Sequence, residues 1–448
     1  MRVEIIETSS LGDRSYVVFD GETAVIIDPQ RDIDRVTERV GDLGVRITHV
    51  LETHLHNDYV TGGLELSRTT GAEYVVPAGD DIGYPARRIT DGEVIDGGTF
   101  TLRAVHTPGH TREHISYVLD DRSGASVGVF TGGSMLYDST GRTDLLGEEN
   151  TRELTTAQYH SVRRLADELP ADTEVYPTHG FGSFCAASAT GRDASTVGEQ
   201  RESNPALTQD EKRFVDDLLD NLSDYPAYYE HMGVINRDGP AAVDLSEPGP
   251  VDPAELRRRI EAGEWVVDLR KRTAFAAGHL GGSYGFELSD SFVTYLGWLY
   301  AWGAPLTLIG DNAEQIATAR RELTRIGIDD VRGGATGEIS TLAGDGGLRS
   351  YRVADFAALK AETDNVTVLD VRRSDEFEQG HVSNAINIVV HELADRIEEL
   401  PDAVIWVHCA SGYRASVAAS ILDLYGHEVV LIDDAFAAAE ELGLTGSK

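Results

Sequence analysis

The first 180 residues alternate short apolar runs with turn residues, a pattern typical of β-strands. Such runs occur at VEIIE, YVVFD and AVIID near the start, and an apolar run at 47–51 indicates a buried strand. Helical periodicity is found at 33–42 and again at about 153–169. Further strands are predicted at 74–76, 100–106, 115–119 and 127–130. This pattern predicts a mixed α/β layered domain with its functional site on one rim.

The stretch THLHNDYVTGG follows the buried strand at 47–51 and carries candidate metal ligands. Side chains alternate along extended backbone, so His54 and His56 are expected to point to the same side. With Asp58 nearby, the two imidazoles form a donor set that suits a divalent metal such as iron or zinc. The alternative is a pair of surface histidines without a metal.

The second half of the chain contains an internal repeat with an offset of 102 residues. WVVDLRKRTAFAAGH at 265–279 matches TVLDVRRSDEFEQGH at 367–381. Each copy combines helices with continuous apolar strands, which indicates a parallel sheet covered on both faces. We therefore predict a first domain at 1–236, a proline-rich linker at 237–253, and two parallel α/β modules. The first module spans 254–347 and the second module spans 348–448.

The second module carries a cysteine at the end of its apolar strand VIWVH. The Cys409 loop, residues 409–414, comprises Cys409, Ala410, Ser411, Gly412, Tyr413 and Arg414. A cysteine that enters a tight loop before a helix lies among backbone N–H groups that stabilise a thiolate. Arg414 is expected to add positive charge, so that the loop would bind a persulfide or thiosulfate anion. The first module has Asp311 in place of the cysteine and Ile316 in place of the arginine.

Charge and cysteine content narrow the class of protein. The formal net charge is −37, and only four lysines are present. We hypothesise an acidic surface adapted to concentrated salt, where charge repulsion is screened. Nucleic acid is an unfavourable partner for this surface. The two cysteines fit a reducing compartment, and without a signal-like start or membrane-length apolar run we expect a cytoplasmic protein with no membrane partner.

The first domain resembles the metallo-β-lactamase-fold family, most closely its persulfide dioxygenase branch, with glyoxalase II as a relative. The resemblance rests on THLHNDYVTGG, HTPGHT, GRTDLLG and YPTHG. It implies an αββα sandwich, and the family's metal ligands correspond to His54, His56, Asp58, His110 and His179. Two positions depart from the family: Gly133 replaces a bridging Asp, and Tyr59 replaces a second-site His.

These two departures determine how many metal ions and which ligands we expect. Tyr59 argues against a two-metal hydrolytic centre, because a second ion would lack a ligand. The dioxygenase branch uses iron held by two histidines and the Asp that Gly133 replaces. We therefore expect one divalent metal, Fe(II) with Zn as the alternative. Its expected ligands are His54, His56 and His110, with Asp58 and His179 as further candidates; a domain without metal is the other interpretation.

The repeat resembles rhodanese modules, and the C-x-x-G-x-R loop implies a sulfurtransferase with Cys409 as nucleophile. A phosphatase loop has five residues between Cys and Arg, whereas four occur here, and a merely structural Cys409 is the remaining alternative. Cys185, His106 and His114 are interpreted as packing or supporting residues.

Together these resemblances predict reactive-sulfur metabolism. Cys409 would carry sulfur as a persulfide, and the metal domain would oxidise a low-molecular-weight thiol persulfide to sulfite. The expected partners are small molecules, namely thiol persulfide, thiosulfate or sulfite, and a homo-oligomer is left open. Two alternatives are a sulfurtransferase with a metal-poor first domain and a glyoxalase II-like thioester hydrolase.

Overall fold

A computed structural model of the chain describes residues 1–187, 191–362 and 366–446. These residues form two compact units. Unit 1 comprises Met1–Asp244 and Leu323–Gly327, and unit 2 comprises Leu245–Glu322 and the residues from Ile328 onward. No helix among the described residues has both the length and the apolar composition needed to cross a membrane.

The first sheet of unit 1 has six strands in the order β1-β2-β3-β4-β5-β6. The first three strands pair antiparallel, and β3 to β6 pair parallel. The strands are β1 (Arg2–Thr8), β2 (Asp13–Asp20), β3 (Thr23–Ile27), β4 (Arg46–Leu51), β5 (Glu73–Pro77) and β6 (Arg87–Ile89).

The second sheet of unit 1 has five strands in the order β13-β10-β9-β8-β7. Strands β7 to β10 pair antiparallel, and β13, at the edge of the sheet, pairs parallel with β10. The strands are β7 (Val94–Asp96), β8 (Thr101–His106), β9 (Ile115–Asp120), β10 (Ser126–Gly132) and β13 (Glu174–Pro177), with a small pair, β11 (Met135–Leu136) and β12 (Ser139–Thr140).

The two sheets pack face to face around an apolar core. Tyr16 and Leu51 from the first sheet meet Leu102, Tyr117 and Phe130 from the second. Each such side chain stabilises the fold by about 1.5–3 kcal/mol when fully buried. The outer faces are covered by the helices α1 (Asp34–Leu43), α2 (Gly63–Thr70), α3 (Glu148–Glu168), α4 (Val197–Ser203), α5 (Pro205–Thr208) and α6 (Glu211–Asp220). A further helix, α7 (Tyr229–Asp238), follows α6.

Unit 2 contains two parallel sheets that repeat one topology. The orders are β15-β14-β16-β17 and β18-β22-β21-β19-β20. The strands are β14 (Trp265–Asp268), β15 (Tyr284–Gly285), β16 (Leu306–Gly310), β17 (Val331–Thr336), β18 (Arg352–Ala354), β19 (Thr367–Asp370), β20 (Ile386–Asn387), β21 (Ile405–His408) and β22 (Val429–Ile432). The helices are α8 (Pro253–Glu261), α9 (Arg272–Ala277), α10 (Phe292–Leu299), α11 (Ala313–Arg325), α12 (Ile339–Ala343), α13 (Phe356–Ala361), α14 (Ser374–Gln379), α15 (Tyr413–Leu424) and α16 (Phe436–Glu441).

The repeated D-x-R and G-H sequences build the same structural element in both modules. In the second module, Arg372 makes a buried ion pair with Asp370 at 2.7 Å and donates to the carbonyl of Gly380 at 2.7 Å. His381 stacks on Phe377 with ring centroids 3.9 Å apart. The first module reproduces all three contacts at the positions 102 residues earlier. In each module, the repeated residues therefore hold the helix that follows the strand against the edge of the sheet.

The predicted αββα sandwich and two parallel α/β sheets are confirmed. Residues 205–220 form two helices, α5 and α6, because Asp210 between them has extended backbone and accepts a hydrogen bond from Arg213 N, so that it caps α6. The helix α7 follows, and the second module begins with the short strand β18. The predicted domain boundaries stay predictions.

Candidate functional site

Three loops bring histidines together at one edge of the sandwich in unit 1. His54 follows β4, His110 lies between β8 and β9, and His179 follows β13. All three side chains are almost completely buried. Each offers one ring nitrogen to a group whose ligand atoms all lie within 4.8 Å of one another. The fold thus assembles a three-histidine cluster from residues 125 positions apart in the chain.

Each of these histidines is anchored through Nδ1. Nδ1 of His54 is hydrogen-bonded to the Thr53 hydroxyl at 2.9 Å, and Nδ1 of His110 lies 2.7 Å from the carbonyl of Arg142. Nδ1 of His179 lies 2.9 Å from a carboxylate oxygen of Asp13. Partners of this kind fix the ring orientation of metal-ligating histidines and leave Nε2 for the metal.

The Nε2 atoms have the spacing that a metal ion requires. Nε2 of His54 and Nε2 of His179 are 3.3 Å apart. Two nitrogens that each lie about 2.1 Å from one ion are separated by roughly 3 to 3.4 Å. Nε2 of His110 is buried and has no hydrogen-bond partner among the residues that the structure describes, and burial lowers the pKa of His110 to about 3. A neutral, unpartnered imidazole is the form that binds a metal, so the residues fit a divalent ion.

The absent carboxylate at Gly133 has a steric explanation. A Cβ atom built on Gly133 would lie 2.2 Å from Cδ2 of His110. His110 is also held by its backbone N–H, which donates to Gln158 Oε1 at 2.7 Å. The ring of His110 therefore occupies the space into which an aspartate at 133 would extend. The same Gly133 donates its N–H to Nε2 of the buried His114 at 3.1 Å, so His114 supports the site rather than facing it.

His56 has a different environment from the three clustered histidines. Its Nε2 lies 3.3 Å from Asp28 Oδ1, 3.2 Å from Glu52 Oε2 and 3.0 Å from the Tyr59 hydroxyl. Burial opposes protonation of His56, but Asp28 and then Glu52 outweigh it and raise its pKa to about 9. In this arrangement His56 makes a buried ion pair with two carboxylates.

A second group of ligand atoms shares His179 with the first. His56, Asp58 and His179 also have ligand atoms within 4.8 Å of one another. Burial opposes protonation of His179, but Asp58 and Asp13 outweigh it and raise its pKa to about 10. A bound metal would replace that proton on His179, because ligands must be deprotonated.

Cys185 packs beside this cluster. Its side chain is fully buried, and burial together with Asp58 raises the pKa of its thiol well above the ordinary value. A thiol that resists ionisation is a poor nucleophile. This supports its interpretation as a packing residue.

The Cys409 loop lies at the carboxyl end of β21, in the second module of unit 2. The N–H of Gly412 donates to the Cys409 sulfur at 3.2 Å, and Gly412 has a φ of 92°, a conformation that favours glycine. The helix α15 begins directly afterwards, at Tyr413. The sulfur therefore accepts a hydrogen bond from a backbone N–H at the start of a helix.

Arg414 has a partner that the sequence did not indicate. Its guanidinium makes two hydrogen bonds with Glu376, at 2.5 and 2.8 Å. The positive charge expected from Arg414 is thus matched by a carboxylate. In the first module, Asp311 donates its N–H to Gln315, and Ile316 is buried at the position that matches Arg414.

Comparisons with known proteins agree with this architecture. The model of the metallo-beta-lactamase superfamily matches residues 13–179, and that of the rhodanese-like domain matches residues 353–441. The mitochondrial persulfide dioxygenase ETHE1 of Homo sapiens is 32% identical over 247 residues, which are 54% of this chain and 81% of that protein. ETHE1 of Bos taurus is 34% identical over 220 residues, 48% of this chain and 76% of that protein.

The chain belongs to the ETHE1 family of the metallo-β-lactamase superfamily. Among solved structures, a metallo-β-lactamase of Staphylococcus aureus is similar with a TM-score of 0.68 and 26% identity, over 75% of this chain and 99% of that one. That share is larger than unit 1, so the similarity extends beyond the metallo-β-lactamase domain.

The structure brings only some of the predicted metal ligands into one group. His54, His56 and His110 do not form one of the groups found among the described residues, where His179 completes the set with His54 and His110 instead. The rings of His54 and His56 are neighbours, 4.1 Å apart, but their nitrogens face different partners. The assignment of ligands therefore stays a prediction, with His179 as the stronger third candidate.

Proposed function

We propose that the chain is a bifunctional enzyme of reactive-sulfur metabolism. Its first domain oxidises a low-molecular-weight thiol persulfide, and its second module transfers sulfur through Cys409. Membership of the ETHE1 family supports the first activity, and the rhodanese-like match around the Cys409 loop supports the second. The observation that carries the proposal is the convergence of three anchored histidines on one point.

His54, His110 and His179 would hold one divalent metal, which we propose to be Fe(II). Imidazole is a good iron ligand, and three facial ligands leave open positions for substrates. When bound, iron supplies the ability to bring O2 and a sulfur ligand together for oxidation. The balanced reaction is R–S–SH + O2 + H2O → R–SH + sulfite + 2 H⁺, in which the outer sulfur is oxidised and O2 is reduced.

The residues around the three histidines set their orientation and protonation. Thr53 links His54 to Asp28, because its hydroxyl donates to Asp28 Oδ2 at 2.8 Å. The carbonyl of Arg142 fixes His110 in the tautomer that carries the proton on Nδ1. The burial of the whole cluster excludes bulk water, which would otherwise compete for the open positions.

Sulfur transfer in the second module requires a nucleophile and an anion-binding loop. The Cys409 thiolate would attack the outer sulfur of thiosulfate, form Cys–S–S⁻ and release sulfite. The S–S bond to the new persulfide forms as the S–S bond within thiosulfate breaks, so no external oxidant is needed. The Gly412 N–H, which donates to the sulfur, would stabilise the negative charge before and after transfer.

The proposal is tested by measuring bound metal together with two activities. We expect iron, O2 uptake and sulfite formation with a thiol persulfide, and transfer from thiosulfate to cyanide that requires Cys409. His179→Ala should lower the iron content at least tenfold, with the exposed His160→Ala in α3 as the matched control. Full iron content in His179→Ala would contradict its assignment as a ligand.

A thioester hydrolase is the second candidate, and one observation favours it. His56, Asp58 and His179 form a second ligand group that shares His179 with the first. Two zinc ions per chain with cleavage of a thiol ester would establish this alternative. One iron per chain without thioesterase activity would exclude it.

A further inference from the structure

The Cys409 loop lacks an uncompensated positive charge of its own. Arg414, the arginine of the loop, is bound by both oxygens of Glu376. A second carboxylate, Asp433, lies directly against the loop backbone: a Cβ atom built on Gly412 would be 2.2 Å from its Oδ1. Within the second module alone, the loop therefore faces a net negative charge. This disfavours both a thiolate and a dianionic donor.

Within unit 2, the first module contributes an arginine, Arg272, that bridges Asp433 and a carboxylate of its own, Glu287. Arg272, at the start of α9, donates from Nε to Asp433 Oδ1 at 2.7 Å. The same guanidinium donates from Nη1 to Glu287 Oε2 at 2.9 Å. Arg272 and Asp433 are 27% and 18% exposed, so solvent screens their interaction only in part.

Two further contacts join the first module to the same loop. The Tyr413 hydroxyl donates to the carbonyl of Glu287 at 3.2 Å, and the ring of Tyr295 packs against that of Tyr413 with centroids 5.7 Å apart. The module without a cysteine thus contacts the loop at several points.

We propose that the first module is part of the sulfur-transfer site: Arg272 neutralises Asp433 and so adapts the Cys409 loop to anionic sulfur donors. Arg272 is a positioning residue, because it acts through Asp433 and not on the substrate. This gives the cysteine-free module an electrostatic function that its own sequence does not suggest. The role rests on the proposed sulfur transfer at Cys409, but its charge effect on the cysteine is measurable without that activity.

The test uses the full chain and a charge-rescue pair. In Arg272→Gln the carboxylates of Asp433 and Glu287 both lose their partner, so the KM for thiosulfate should rise about tenfold while kcat changes less. Adding Asp433→Asn restores the net charge that these three residues have in the unmodified protein and should return the KM to within about threefold of its value. Arg259→Gln is the matched control, because Arg259 pairs with Glu255 inside the first module. It should leave the KM unchanged.

A second readout does not depend on transfer activity. With Cys185→Ser as background, Cys409 is the only thiol, and its alkylation by iodoacetamide at pH 7 should slow about tenfold in Arg272→Gln. Alkylation should recover when Asp433→Asn is added, because a negative charge near a thiol disfavours the reactive thiolate. About 1 M KCl should shrink the difference by screening.

Two outcomes separate the two proposals. If the unmodified protein transfers no sulfur but the alkylation pattern is as expected, the proposed transfer activity fails and the charge role of Arg272 stands. If Asp433→Asn fails to rescue Arg272→Gln in either assay, Arg272 has a structural role only and this inference is overturned. Should Arg272→Gln not fold, Arg272→Lys keeps the charge and must retain near-normal KM and alkylation.

Discussion

Gly133 provides the sharpest test of the metal site, because the resemblance to the metallo-β-lactamase family implies an aspartate at this position. Restoring this aspartate should damage the site. The Cβ of any residue at 133 would lie 2.2 Å from the His110 ring, and 3.4 Å is the shortest ordinary contact, so the ring would have to withdraw by about 1.2 Å. His110 is held at Nδ1 and at its backbone N–H, so it cannot withdraw without losing hydrogen bonds.

Overpacking of a buried site costs about 1–3 kcal/mol, and the loss of the hydrogen bonds to His110 places Gly133→Ala and Gly133→Asp at the upper end. We expect both variants to be about 3 kcal/mol less stable in urea unfolding and to bind metal at least tenfold more weakly by elemental analysis. Gly41→Ala is the control, since nothing lies within 4 Å of its added Cβ. The steric reasoning would be refuted if Gly133→Asp kept its stability and gained metal or dioxygenase activity.

Three further predictions concern the Cys409 loop and the charged surface. Cys409→Ser should abolish transfer of sulfur from thiosulfate to cyanide, whereas Cys185→Ser should leave it nearly intact; a transfer-active Cys409→Ser would disprove the assignment. Burial opposes ionisation of Glu376, but the ion pair with Arg414 outweighs burial and lowers the pKa of Glu376 below 4.5. The pair therefore stabilises the fold at neutral pH, and this stabilisation is lost as the pH falls below 4.5. Glu376→Gln should therefore cost about 2 kcal/mol at pH 7 and progressively less as the pH falls below 4.5, measured by urea unfolding; a loss that does not shrink at acidic pH would contradict the ion pair. The acidic surface should make the protein markedly more stable in about 2 M than in about 0.1 M KCl, and full stability at low salt would count against salt adaptation.

The repeat in the second half was predictable because its residues act locally. Asp370, Arg372 and Gly380 lie within eleven positions, and their contacts form in each copy without reference to the rest of the chain. The same holds for the Cys409 loop, whose sulfur is bound by an N–H three residues later. Spacing along the chain was sufficient for these elements.

The metal ligands were less predictable because they depend on the meeting of distant loops. His54 and His56 were expected on extended backbone, but β4 ends at Leu51, so the alternation of side chains along a strand does not apply to these histidines. The carboxylates that bind His56 come from Asp28 and Glu52, and no local pattern marks them as its partners. His179 reaches the site only because β13 pairs with β10.

The ion pair of Arg414 in the second module also could not be predicted from the local sequence. Its partner Glu376 is 38 positions away, at the start of α14, and nothing in the loop sequence indicates that the arginine is already paired. The contact between Arg272 and Asp433 spans 161 positions. Long-range ion pairs therefore decide the charge of the loop, while the loop sequence decides only its shape.

We propose that the clustered histidines hold one iron ion that serves persulfide oxidation. Elemental analysis of the purified full chain, combined with O2 uptake on a thiol persulfide, tests it most directly. We predict about one iron per chain and one O2 consumed for each sulfite formed. A protein without iron that consumes no O2, or one with two zinc ions that cleaves a thiol ester, would contradict the account.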